Sequence, residues 1–101
     1  DKLLVLRLDG LESKALVELA EKIKDKLVSG IVVIGAVNAE RVNLVAGVTK
    51  DLINQYKAGE IIAKLAVTVG GKGGGRPDMA QAGGSETHKL DEALAQAKAL
   101  V

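Results

Sequence analysis

Chemistry in this 101-residue chain would have to come from one segment, Gly70-Gly71-Lys72-Gly73-Gly74-Gly75-Arg76-Pro77-Asp78-Met79-Ala80-Gln81-Ala82-Gly83-Gly84. Seven of its fifteen residues are glycine. An ordered glycine in regular structure costs roughly 0.5–1 kcal/mol against alanine. Such density predicts positive φ angles, or a backbone that something else approaches closely. Consecutive backbone N–H groups in a glycine loop form an anion-holding nest, expected around Lys72, Gly73, Gly74 and Gly75. Lys72 and Arg76 add positive charge, and Arg76 carries a planar fork that takes a phosphate bidentately. Gln81 offers both a donor and an acceptor. These residues, with Lys64 upstream, are the candidate RNA or phosphate-backbone contacts. Pro77 suits the first position of a short helical turn. With Asp78, Gly83 and Gly84 it is a candidate for shaping the loop.

Other chemistries fit less well. A nucleotide phosphate loop fails on spacing, because Lys72 is followed by Gly73 rather than Ser or Thr, and Ala66 stands where its first glycine belongs. The dinucleotide pattern fails because Arg76 and Asp78 fill its third-glycine slot in the two registers. The segment also follows a helix C-terminus, whose partial negative charge repels phosphate. A catalytic loop would have Asp78 and His88 to work with, and a lone carboxylate and a lone histidine are more often structural. A purely structural loop stays open. In it Asp78 caps the turn after Pro77, Met79 and Ala80 pack into the core, and Arg76 pairs with Asp78 as a brace.

Composition narrows the field further. Net charge is +1, so bulk electrostatics do not announce a polyanion partner. Between Ile61 and Pro77, however, no acidic residue occurs while Lys64, Lys72 and Arg76 do. A local basic patch on a near-neutral domain contacts phosphates without strong nonspecific binding. Cysteine is absent and His88 is the only histidine, which removes thiolate and His-pair metal sites and leaves no cofactor implied. The longest apolar runs, such as Ile31–Ala36, fall far short of the ~20 residues that span a bilayer. No signal-peptide pattern opens the chain, and a cytosolic origin is expected. Tyr56 is the only aromatic residue, so a base-stacking platform is not expected and the core must be Leu, Val, Ile and Ala.

The elements that would position the segment are α/β. Lys2–Leu8 reads as a buried strand. Asp9 and Glu12 have capping-box spacing ahead of a helix from Leu11 to Ser29, with Leu16, Leu19, Ala20, Ile23 and Leu27 on one face and Gly30 as its stop. Ile31–Val37 and Val42–Val48 are β-branched strands joined through a four-residue loop, Asn38-Ala39-Glu40-Arg41. Strand, helix and strand then form a parallel crossover unit. Thr49 is placed to cap a short helix over Lys50–Lys57. A further helix over Gly59–Val69 carries Ile61, Ile62, Leu65 and Val69 as its buried stripe, with Glu60 and Lys64 at ion-pair spacing. The last helix covers Lys89–Leu100, with Leu90, Leu94, Ala97 and Val101 on one side, a face that either packs inward or docks a partner. The fold expected is a small mixed β-sheet covered by helices, a single domain over 1–101, with a long glycine-rich loop before the C-terminal helix. The chain starts at Asp1 rather than Met, so a longer parent is expected.

The order Gly-Gly-Gly-Arg-Pro-Asp-Met-Ala-Gln-x-Gly-Gly, from Gly73 to Gly84, resembles the signature near the C-terminus of alanyl-tRNA synthetases, in the domain type called DHHA1. The arrangement of elements agrees over nearly the whole chain. DHH-family phosphoesterases share this domain type but typically carry histidine directly after the glycine triplet, where this chain has Arg76. The resemblance implies a non-catalytic module that grips tRNA at its outer elbow, supporting aminoacylation and editing performed elsewhere in an ATP-dependent alanine–tRNA ligase. Partners implied are alanine tRNA, the rest of the synthetase chain and, in some members, a second copy. Alternatives are a dimerisation or protein-docking domain of the synthetase, or a substrate-binding domain of a phosphoesterase. No catalytic residue, alanine pocket, ATP site or zinc site is implied here.

Overall fold

A computed structural model describes residues 2–100. In chain order it contains β1 (Lys2–Arg7), α1 (Ser13–Lys26), β2 (Gly30–Asn38), β3 (Arg41–Val48), α2 (Ala58–Thr68), β4 (Lys72–Gly75), β5 (Met79–Gly84) and α3 (Leu90–Leu100). Single 3-10 turns occupy Lys50–Leu52 and Thr87–Lys89. The five strands form one sheet in the order β1-β2-β3-β5-β4. β1 lies parallel to β2 across the α1 crossover, and every other pair is antiparallel.

The sheet is covered on both sides, which explains why β2 and β3 are nearly continuous apolar runs. On one face α1 contributes Leu16 and Ala20 to a cluster with Val32, Ile34, Val45 and Met79. On the other, α2 and α3 pack Ile62, Leu65, Leu90 and Ala97 against Ile31, Val33, Leu44, Ala80 and Ala82. The apolar side of α3 is therefore core: Leu90, Ala93, Leu94 and Ala97 are all buried and unavailable as a docking face. Val101 lies outside the described residues.

Local differences from the sequence expectation have physical causes. The Asp9–Glu12 capping box does not form. Asp9 accepts the Val37 N–H at 3.1 Å and pairs with Arg7 at 3.0 Å, while Glu12 occupies the cap position of α1 without a side-chain hydrogen bond. α1 ends at Lys26, and Gly30 opens β2 instead of stopping the helix. The Gly30 N–H donates to Thr49 Oγ1 at 3.0 Å and the Thr49 hydroxyl donates to Asp51 Oδ1 at 2.6 Å. With its hydroxyl so engaged, Thr49 caps no helix, and the expected 50–57 helix is one 3-10 turn. The β2–β3 connection is tighter than a four-residue loop, because Asn38 and Arg41 continue the ladder as a pair. Ala39 and Glu40 alone make the turn, at φ 51° and 65°, in the primed geometry that matches strand twist. α2 ends with Gly70 at φ 70°, Gly71 N–H donating to Ala66 O and Gly70 N–H to Val67 O, the paired closure of a Schellman C-cap. Glu60 and Lys64 form no ion pair within 4.0 Å.

The largest correction concerns the glycine-rich segment. It is a β-hairpin, β4 with β5, and only Arg76–Asp78 between the strands is irregular. Pro77 opens no helical turn. It sits exposed in the hairpin turn, which the Arg76 N–H closes on Met79 O at 3.0 Å, while Pro77 O accepts the first N–H of α2 from Ala58 at 2.9 Å. The adjacent Asp78 O accepts the Val48 N–H at 2.9 Å, so the turn is tied to both β3 and α2.

Candidate nucleic-acid interface

α1 lies over β2 and β3 and leaves one face of the β4–β5 hairpin open. The ladder decides what that face displays. Lys72 stands opposite Gly83 and Gly74 opposite Gln81, while Gly83 in turn pairs with Asn43 of β3. Paired residues point to the same side and neighbours along a strand to opposite sides. Lys72, Gly74, Gln81, Gly83, Asn43 and Arg41 therefore share the open face. Lys72, Gly74, Gln81 and Arg41 are exposed. Ser13 at the start of α1 closes one end, lining a shallow cavity of about 270 Å³ with Asn43, Gln81 and Gly83.

The alternate residues face α2, where space is short. A Cβ on Gly73 would overlap the Ala82 side chain and lie 2.5 Å from Ala82 Cα. Gly74 is the reverse case, with no atom within 4 Å of the position its Cβ would take. The anion nest expected around these glycines is not present. The run is an extended strand, so successive N–H groups point to opposite edges and cannot converge on one ion. Lys64 is not brought to the hairpin face either. It lines a cavity on α2 with Gln55, Tyr56, Lys57, Glu60 and Leu100, and only Lys57 and Glu60 border both that cavity and the one along the outer edge of β4.

The remaining predicted residues do come together. Arg76 Nε lies 3.5 Å from Asp78 Oδ1, the internal brace expected of them, and Lys24 Nζ of α1 lies 3.5 Å from Asp78 Oδ2. Partial desolvation pushes the Asp78 carboxyl up, but Lys24 and then Arg76 outweigh it and hold the group below its ordinary value of 3.8. A carboxyl depressed in the folded state contributes stability above its unfolded pKa and loses it as pH falls through the folded one. Asp78→Asn is accordingly expected to melt below the wild type at pH 7, by at most about 1 kcal/mol for so exposed a pair. The two melting curves should converge on acidification below 3.8. A gap that persists unchanged at low pH would show that the ion pairs contribute nothing.

Arg41 and Asn43 belong to the face but carry no motif. Their one sequence signal is polarity within the otherwise apolar β3. His88 is exposed on the 3-10 turn before α3, 3.5 Å from Glu86. Among the described residues no group of three or more acidic or histidine side chains is placed to hold a metal, and no helix is long and apolar enough to cross a membrane.

A mixed five-stranded sheet with helices on both sides and one open polar face beside a glycine hairpin defines a small α/β domain. The family model for the DHHA1 domain matches residues 1–101, and the chain belongs to that family. Within it, the chain sits with the alanyl-tRNA synthetase branch. It is 58% identical over 94 residues to the alanine–tRNA ligase of Shewanella amazonensis, covering 93% of this chain and 11% of that protein. To the alanine–tRNA ligase of Shewanella loihica it is 60% identical over 93 residues, covering 92% and 11%. The chain thus spans about a tenth of the length of these relatives. Its fold matches the crystal structure of the C-Ala domain from Aquifex aeolicus alanyl-tRNA synthetase with a TM-score of 0.91 at 30% identity, over 97% of this chain and 88% of that one.

Proposed function

We propose that the chain is a non-catalytic tRNA-binding domain, gripping tRNA at the elbow on behalf of a parent alanine–tRNA ligase that aminoacylates and edits in the cytoplasm. The observation that carries this reading is the open face of the β4–β5 hairpin. It sets Lys72, Arg41, Gln81 and Asn43 on one surface, with Arg76 at its rim. Two cations on a flat strand surface suit a phosphate backbone, and the neutral amides beside them suit sugar hydroxyls and base edges. With the nest replaced by a strand, recognition rests on side chains more than on converging amides. Affinity follows from phosphate contacts, so it falls steeply with salt.

Filter binding of full-length tRNA to Lys72→Ala and Arg76→Ala tests the reading. Each is expected to weaken binding about tenfold, the worth of one charge-assisted hydrogen bond. Each should also reduce the slope of log affinity against log salt by about 1, equally for cognate and non-cognate tRNA. Unchanged affinity and slope in both variants would return the hairpin to a purely structural role.

A further inference from the structure

We propose that the cavity between α1 and the β4–β5 hairpin receives a single unstacked guanine base, read by the Glu21 carboxylate. The proposal rests on the RNA-binding reading above and adds to it a base-specific subsite. The cavity, of about 240 Å³, is lined by Val17, Glu21, Gly74, Arg76, Met79 and Gln81 among others. Its location follows from two periodicities. Val17 and Glu21 stand four apart on α1 and share the flank turned to the hairpin. Met79, Gln81 and Gly74 share the α1 side of the sheet by alternation and register.

The surfaces of this cavity suit a flat ring. Gly74 leaves open space where any other residue would set a side chain, so a planar group reaches the strand backbone there. Val17 and Met79 supply apolar contact. α1 is also linked to the hairpin turn beside the cavity, because Lys24, one turn beyond Glu21, pairs with Asp78, and Asp78 with Arg76. Both polar walls are free to bond a ligand. Glu21 and Gln81 are exposed, and neither side chain makes an ion pair or hydrogen bond among the described residues.

The carboxylate selects the base. A free acidic group on a surface that meets a polyanion repels the backbone, so its presence is favourable only where it meets donors. An ionised carboxylate accepts through both oxygens. Guanine alone presents two adjacent donors, N1–H and the N2 amino group, on its Watson–Crick edge, and unstacked RNA bases are commonly read on that edge. Adenine presents an acceptor at N1, uracil a single N3–H donor between two acceptors, and cytosine a single N4 amino donor beside two acceptors. The Gln81 amide then donates to guanine O6, and Arg76 at the mouth meets the phosphate of the same nucleotide.

The test is fluorescence anisotropy of the chain with uridine oligoribonucleotides carrying one central guanosine, inosine or adenosine. Inosine lacks the N2 amino group and keeps the rest of the guanine edge. The guanosine oligomer is expected to bind about tenfold tighter than the other two, within the range of one bidentate base contact. Glu21→Gln should bring the three within about twofold of one another while leaving adenosine binding unchanged. Gly74→Val should do the same by filling the cavity, with the thermal melt kept in place. Equal affinity for all three oligomers in the wild type, or a guanosine preference that survives both substitutions, overturns the guanine site. If tRNA still binds with its salt dependence intact, the broader RNA-binding reading stands. Binding to neither oligomer nor tRNA overturns both.

Discussion

Gly73→Val is expected to destabilise the fold by about 3 kcal/mol or more, while Gly74→Ala one residue away should change stability by no more than about 0.5 kcal/mol. The asymmetry arises because β4 shows its two sides to different surroundings. On the α2 side a Cβ at Gly73 overlaps Ala82 and comes within 2.7 Å of Gln81 O. Those are atoms of a paired backbone, held by the ladder to β3, and they cannot rotate aside as a side-chain tip does. Ordinary overpacking costs about 1–3 kcal/mol when neighbours adjust, so a clash with fixed backbone belongs at or above the top of that range. On the other side Gly74 meets nothing. For a domain of this size each kcal/mol moves the melting temperature by about 4–8 °C, so circular dichroism melts should separate the two variants by 10 °C or more. Equal shifts at both positions would mean that close packing is not what holds glycine at Gly73.

That comparison also shows why the segment reads as a loop in the sequence. Glycine has poor strand propensity, and nothing local in Lys72–Gly75 announces a strand. The strand exists because β5 pairs with β3 over a separation of many residues and then offers its free edge to β4. By contrast, β2 and β3 are legible because runs rich in Val and Ile, almost wholly apolar, pass through a sheet buried on both faces. The parallel crossover and the buried stripes of α2 and α3 follow from periodicity alone. Capping failed where a tertiary donor competed, with the Val37 N–H reaching Asp9 across the sheet. The site divides in the same way. Lys72, Arg76 and Gln81 are legible by residue type and motif. Arg41, Asn43 and Glu21 enter only because of where α1 stops covering the sheet, and Lys64 drops out because its helix face turns away.

The same dependence on tertiary support underlies a second large effect, expected for Leu65→Ala. Leu65 is fully buried on α2 and belongs to the cluster that includes Leu44, Ala46, Ala80 and Ala82. All four of those neighbours are strand residues, two on β3 and two on β5 itself. The chain's only aromatic ring, Tyr56, packs half-buried against this cluster, which is otherwise aliphatic. The surrounding Val and Ile side chains are stiff at χ1, so collapse around a missing leucine is limited. Truncation of a buried leucine costs about 2–5 kcal/mol, growing with the cavity left behind, and the upper half of that range is expected at this position. Against a total stability of about 5–15 kcal/mol the loss is large. Urea denaturation should show a lower midpoint with an unchanged slope. Val67→Ala on the same helix, at a side chain 75% exposed, should leave the midpoint within error and serves as the control. A loss below about 1 kcal/mol at Leu65 would mean that α2 is not the support of the hairpin. If the full loss is seen, amide exchange in β5 should accelerate more than in β1, because β5 relies on α2 to cover its buried side while β1 is covered by α3. The open face that carries Lys72 and Gln81 would then owe its flatness to a leucine on the opposite side of the sheet.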